Sequence, residues 1–256
     1  MEVYYTVVLF LFGIVLGSFY NVVGYRLPKG ESIVKPPSHC PNCGHRLGPS
    51  ELIPVFSYLF LGGKCKNCKQ KISLFYPLFE LATGLLFALS YLLFGFSIEL
   101  AIALTFVSAL LIIIISDYQT MIIPDEVLLV AITLILILIG IKDGFSGVGT
   151  AFFNGLIAFG IMFLLKKIGD FLFKQESMGG GDIKLMFLFG LVLGYQMTII
   201  AIFIASFIGL PISLIILYKK KDHIIPFGPF LAVGAMILFF LQLDFHTLIS
   251  YLTHTI

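Results

Sequence analysis

The apolar positions of this chain fall in long uninterrupted runs, not in the alternation of a strand or the stripe of a surface helix. Val3–Val23, Leu78–Phe96, Leu100–Ile115, Val127–Ile141 and Val148–Leu165 are followed by the uncharged stretch Leu185–Leu217 and by Ile225–Leu243. A helix crossing the ~30 Å hydrocarbon core needs about 20 mostly apolar residues, so these runs predict membrane spans. The 33 residues of Leu185–Leu217 would make about 50 Å of helix at ~1.5 Å per residue. That is too long for one crossing, and Gly194-Tyr195-Gln196 offers a break. The pattern predicts an all-α polytopic membrane protein of about eight transmembrane helices. The fourth span and the sixth, about Gly181–Gly194, are short enough to be interfacial or re-entrant. Val3–Val23 is expected to be a retained span, because Met1-Glu2 supplies no basic leader and no small-residue cleavage site follows.

Composition agrees with this pattern. With 59% apolar and 12% charged residues and a mean hydropathy of +1.06, the chain lies well outside the roughly 45–50% apolar and about 25% charged of soluble domains. A water-soluble globule is excluded. The net charge of +2 conceals an asymmetry, since Arg26, Lys29, Lys35, Arg46, Lys64, Lys66, Lys69 and Lys71 lie close together against only Glu31 and Glu51. Basic residues flanking spans stay on the cytoplasmic side. With the N-terminus outside, segments 26–77, 116–126, 166–184 and 218–224 are cytoplasmic and hold 15 of the 16 Lys and Arg, leaving Lys142 outside. The chain thus divides into a first span (1–25), a cytoplasmic cysteine-rich loop (26–77) and a transmembrane domain (78–256). The basic loop follows from topology and from attraction to the anionic headgroups of the lipid bilayer. Aromatics and bases do not interleave in it, so no nucleic-acid partner is expected.

All four cysteines lie in that loop, as Cys40-Pro-Asn-Cys43 and Cys65-Lys-Asn-Cys68. Reducing cytosol disfavours disulfides, whereas two C-x2-C turns bring together four soft thiolates, the usual means of closing a tetrahedral structural zinc site. Cys40, Cys43, Cys65 and Cys68 are the expected zinc ligands, with a redox pair or free thiols as the bland alternative. His39 and His45 flank the first knuckle as substitute ligands or solvated residues. A loop of this size with few apolar residues needs such a staple.

Carboxylates next to apolar spans are costly, so each needs an account. Asp117 ends the third span, where it meets the unfavourable negative end of the helix macrodipole. Asp125, after Ile123-Pro124, is placed to cap the fourth helix. Asp182 closes Met178-Gly179-Gly180-Gly181-Asp182, and three glycines exceed what a cap requires; they allow positive φ and close backbone approach, as expected where an extended peptide must reach a carboxylate. By topology all three sit at one membrane face. Two aspartates brought together in a partly dry site do not both ionise readily. One would serve as base toward water while the other polarises a scissile carbonyl. Aspartyl proteolysis and a proton- or cation-coupled transport pathway both fit these residue types. A non-catalytic scaffold is a third reading.

Taken in order, Gly17-Ser18-Phe19-Tyr20-Asn21, Tyr25-Arg26-Leu27-Pro28, Cys40–Gly44, Leu61–Cys65, Tyr76-Pro77 with Glu80–Gly84, Asp117 with Ile123-Pro124-Asp125, Met178–Asp182 with Lys184, and Pro226–Phe230 resemble the bacterial type IV prepilin peptidase family, membrane-embedded GxGD aspartyl proteases. The resemblance covers nearly the whole chain. It implies an enzyme of the bacterial inner membrane that removes the short basic leader of type IV prepilins or pseudopilins after a glycine, at the cytoplasmic face. It further implies N-methylation of the new N-terminal residue with S-adenosylmethionine. Asp117 and Asp182 match the family's catalytic pair, and Asp125 matches an aspartate outside it. The four cysteines match the methyltransferase region. No Gly-rich strand-turn-helix cofactor fingerprint is present. Glu51, Gly62, Gly63 and Lys64 are methyl-transfer candidates by proximity to the knuckles alone, and Glu80 is expected to pair with a lysine at the membrane edge.

Overall fold

The computed structural model describes residues 1–219, 225–242, 245 and 250. The regular structure of the described residues is helical, as the apolar runs require: α1 (Glu2–Arg26), α2 (Phe56–Phe60), α3 (Phe75–Phe94), α4 (Ile98–Thr120), α5 (Asp125–Phe173), α6 (Gly180–Lys219) and α7 (Gly228–Leu241). Helices α1, α3, α4, α5 and α6 are long and apolar enough to cross a membrane, and α7 is a shorter apolar helix. This is an all-helical membrane protein with a four-cysteine loop between its first two long helices. Lys220, Lys221 and Leu243, which the sequence assigned to a cytoplasmic connection and to the end of the last span, lie outside the described residues.

Two long helices are each interrupted. Gly144 (φ 69°, ψ −166°) breaks α5 and Gly194 (φ 77°, ψ 156°) breaks α6, the latter at the break expected from length. Left-handed and mirror-extended backbone of this kind is open to glycine at no steric cost. Beyond Leu165, where the apolar run stops, α5 continues to Phe173. Lys166 sustains this extension by donating to the Met178 carbonyl at 2.8 Å and approaching Asp170 at 3.7 Å.

The chain divides into two compact units, Met1–Thr120 and Met121–Ile256. In the first, α1 and α3 are antiparallel and meet through small residues. A Cβ on Gly13 would lie 2.8 Å from the Gly84 Cα, and one on Gly17 would lie 2.8 Å from the Glu80 Cα. Asn21, one turn further, donates its amide to the Tyr76 carbonyl at 3.3 Å. Three successive pairs at four-residue spacing therefore set the register. Without a hydrophobic drive between helices in lipid, such close approach is what dispersion contacts require. Helix α4 joins through Gly24 against Ile115 and through Tyr20, whose hydroxyl lies 2.6 Å from the Ser108 hydroxyl. The far ends are closed by the Tyr5, Tyr91 and Phe96 rings.

In the second unit α5 meets α6 where Gly190 approaches the Asn154 carbonyl and Gly155, and α7 meets α6 where Gly234 approaches the Ala201 carbonyl. Large apolar side chains such as Leu11, Val15, Leu85, Leu129, Phe153 and Phe207 remain exposed, as lipid-facing surface should.

Candidate functional site

The two cysteine pairs occupy matching turns. The Cys40 amide donates to the His45 carbonyl and the Gly44 amide to the Cys40 carbonyl, both at 2.9 Å. The Cys65 amide donates to the Gln70 carbonyl at 2.9 Å and the Lys69 amide to the Cys65 carbonyl at 3.0 Å. Each turn ends on a left-handed residue, Gly44 (φ 69°) and Lys69 (φ 59°). The four cysteines are unbridged and their Sγ atoms all lie within 4.8 Å of one another. Cys40 and Cys68 are 3.8 Å apart, and Cys43 and Cys65 4.0 Å. Four thiolates at the ~2.3 Å bond length of tetrahedral zinc are separated by about 3.8 Å, so the spacing suits such an ion.

Two residues that sequence reasoning passed over complete this arrangement. Asn42 points its amide at Cys68 Sγ, 3.7 Å away, and Asn67 points its amide at Cys43 Sγ, 3.8 Å away. Each knuckle thus offers a donor to a sulfur of the other, the kind of outer contact that orients metal ligands. The repeated Cys-x-Asn-Cys was the available signal. The Gln70 backbone amide and the Asn42 side chain pull the Cys68 thiol down to about 6.

The residues flanking the knuckles are structural. His39 contacts the Pro37 carbonyl and His45 contacts Glu51 at 3.1 Å, so neither joins the four sulfurs. Glu51 also accepts the Gly48 amide at 2.9 Å. That amide, followed by His45, holds its carboxyl below the usual glutamate range. Gly62 and Gly63 are consecutive left-handed residues, and Lys64 bridges to Lys71 at the entry of the second knuckle. Among the described residues Glu80 makes no ion pair with a lysine, contrary to the sequence expectation. Buried on α3, it accepts the Val55 amide at 2.7 Å.

The carboxylates divide between the units. In the first, Asp117 is buried in the last turn of α4 at 6% exposure, beside Tyr118, whose ring stacks on Phe75 at the start of α3. In the second, Asp182 is half-buried in the first turn of α6. Its approach is tethered by Asp170, which accepts the Ser177 amide at 2.7 Å and the Ser177 hydroxyl at 2.8 Å. The glycines before Asp182 do not adopt positive φ, and Gly180 and Gly181 already belong to the helix. Gly181 instead packs against Ile123, whose Cβ would stand 2.9 Å from a Cβ added to the glycine. Asp125 makes no capping hydrogen bond; its carboxylate is turned to Lys184 instead.

Residues 11–94 match the family model of the bacterial peptidase A24 N-terminal domain, and residues 103–214 match that of the type IV leader peptidase family. A prepilin leader peptidase/N-methyltransferase of Bacillus subtilis is 37% identical over 235 residues, covering 90% of this chain and 92% of that protein. The chain belongs to the type IV leader peptidase family. Proteins with the same description from Pseudomonas aeruginosa and Neisseria gonorrhoeae are 34% and 33% identical, each over 89% of this chain and 87% of the relative. No solved structure matches significantly. Within the leader peptidase family match lie Asp117, Asp125 and Asp182, and within the N-terminal match lie all four cysteines. Both family models describe peptidases, which sets aside the ion-coupled transporter reading of the same carboxylates.

Proposed function

We propose that this member of the leader peptidase family removes the leader of type IV prepilins or pseudopilins and N-methylates the residue so exposed. The observation that carries the reading is the similarity to the Bacillus subtilis prepilin leader peptidase/N-methyltransferase over 92% of that protein's length. Asp117 and Asp182 are the catalytic pair. One carboxylate, ionised, takes a proton from the attacking water. The other, protonated, hydrogen-bonds the scissile carbonyl and then gives its proton to the leaving amine. Burial of Asp117 and placement of Asp182 in a helix first turn support these roles, since a dry site and a helix N-terminus both favour carboxylates poised for proton exchange.

Cys40, Cys43, Cys65 and Cys68 hold a structural zinc ion that fixes the cytoplasmic loop, and S-adenosylmethionine supplies the methyl group. The interruptions at Gly144 and Gly194 support eight crossings of the inner membrane, with the loop 26–77 and the carboxylates on the cytoplasmic side. The span 1–25, the loop 26–77 and the peptidase domain 78–256 are the functional divisions. Prepilin enters with its apolar helix in the bilayer and its leader at the cytoplasmic surface. Intact-mass analysis of a candidate prepilin after incubation with the solubilised protein and S-adenosylmethionine tests both halves. Loss of the leader with a 14 Da gain on the product (a methyl in place of a hydrogen, about one CH₂ unit) is expected; an unchanged prepilin overturns the reading.

A further inference from the structure

The α1–α3 contact contains two buried polar groups, one carbonyl without a donor and one carboxylate without a countercharge among the described residues. Asn21, 4% exposed, donates its amide nitrogen to the Gly17 and Tyr76 carbonyls. Both neighbours are acceptors, so the nitrogen must face them, which fixes the amide orientation. Oδ1 is left buried with no hydrogen-bond partner among the described residues. One turn along the same contact stands Glu80, 8% exposed. It accepts the Val55 amide and has the Ser18 hydroxyl beside it, but it has no ion pair with Lys, Arg or His among the described residues. A buried carboxylate without a countercharge and a buried carbonyl without a donor are both costly. A ligand that is cationic and rich in N–H donors would satisfy them together.

The location narrows the ligand. Asn21 lies five residues before the end of α1 and Glu80 five residues after the start of α3, about 7.5 Å below each terminus at ~1.5 Å per residue. Asp117 lies three residues before the end of α4, about 5 Å below its terminus. The Phe75–Tyr118 stack and the Asn21–Tyr76 bond join these ends of α1, α3 and α4 into one layer. Glu80 also ties this layer to the cysteine loop by holding Val55, whose φ of 64° is a strained value for a β-branched residue. A peptide cleaved at the depth of Asp117 bears its new α-ammonium group at this level.

We propose that Asn21 and Glu80 form the acceptor site for the new α-amino group of the cleaved substrate. This rests on the N-methyltransferase half of the proposed function. The ammonium group donates to Asn21 Oδ1 and to the Glu80 carboxylate, and the carboxylate takes one proton. The freed nitrogen lone pair then forms the N–C bond to the methyl carbon of a sulfonium donor. The C–S bond breaks with its electron pair going to sulfur, leaving a neutral thioether. The methylated nitrogen is again a cation and the Glu80 proton passes to water. Pre-methylation recognition thus depends on a free amine, and Glu80 acts on the nitrogen directly.

The test uses the full-length solubilised protein, S-adenosylmethionine and two substrates, an intact prepilin and a synthetic mature peptide with either a free or an acetylated amino terminus. Glu80→Gln keeps an acceptor for the Val55 amide while removing the charge. It should lower the ratio of methylation to leader removal at least tenfold, and Asn21→Ala should lower it several-fold. In the wild type the free-amine peptide should compete for methylation at least tenfold better than the acetylated one, a preference that Glu80→Gln loses. A parallel fall of both reactions in Glu80→Gln, unimpaired methylation, or equal competition by the two peptides each overturns the assignment. A wild type that removes leaders but never methylates instead overturns the methyltransferase reading itself, and this inference with it.

Discussion

Lys184 donates to both carboxylate oxygens of Asp125, at 2.7 and 2.8 Å, across 59 residues of sequence. This bond ties the first turn of α5 to the start of the second turn of α6, two residues beyond Asp182. Both side chains are more than half exposed, and such pairs contribute roughly 0.2–1 kcal/mol. Asp125→Asn and Lys184→Gln should therefore leave leader removal within about fivefold of wild type, the loss such an energy permits. Asp117→Asn and Asp182→Asn should each abolish it with the protein still inserted. Prepilin processing by the four variants, followed by mass, decides between these outcomes; normal processing by either of the last two removes the catalytic assignment.

Gly180 and Gly181 are expected to behave differently. A Cβ on Gly180 meets nothing within 4 Å, whereas one on Gly181 meets Ile123 at 2.9 Å. Gly180→Ala should be tolerated. Gly181→Ala should overpack the site by about 1–3 kcal/mol and displace Asp182, with activity falling at least tenfold. Ile123→Ala in the same chain should restore part of that loss. Equal activities of the two single variants would show that the contact has no effect on the helix start.

The cysteine cluster should hold about one zinc per chain, the stoichiometry of a closed four-thiolate site, and elemental analysis of purified protein checks this. After chelation, Cys68 should be the first of the four thiols alkylated at pH 7. With its pKa drawn down to about 6, about nine-tenths of it is thiolate there, against a few per cent for an ordinary cysteine. Asn42→Ala withdraws a donor that favours the thiolate and should slow the reaction. Zinc should protect all four. Uniform alkylation in the metal-free wild type would contradict the role of the Asn42 amide.

A cysteine substituted at Lys142, in the cysteine-free background of the four knuckle variants or with zinc retained, should react with an impermeant maleimide applied to spheroplasts from outside. One at Lys29 or Lys174 should not. Labelling of Lys174→Cys from outside would refute the eight-crossing topology.

Much of this was readable in one chain because it is local. Apolar runs locate helices whatever they pack against, and length alone demanded a break near Gly194. Four cysteines in two short turns can hardly avoid one another. Pairings between distant segments were not readable. The Asp125–Lys184 bond displaced a capping role that the position after Pro124 favoured locally. The Gly13–Gly84, Gly17–Glu80 and Asn21–Tyr76 register is a property of two surfaces together, so neither helix encodes it alone. Helix α5 passed its apolar limit because Lys166 finds the Met178 carbonyl beyond the helix end, which hydropathy does not register. A lysine was expected for Glu80 because a backbone amide from the loop, here that of Val55, leaves no mark in the sequence.

The breaks at Gly95, Gly144 and Gly194 use few residues. Gly95 leaves three residues between α3 and α4, and at Gly144 and Gly194 one helix follows another without a connecting loop. In the proposed topology these breaks face outward, so between the spans the described residues show the outside of the cell little but glycine corners. An antibody would find scant epitope there. In that topology an inhibitor of this enzyme must either permeate to the cytosol or slide in sideways through the bilayer, the route proposed for the prepilin helix.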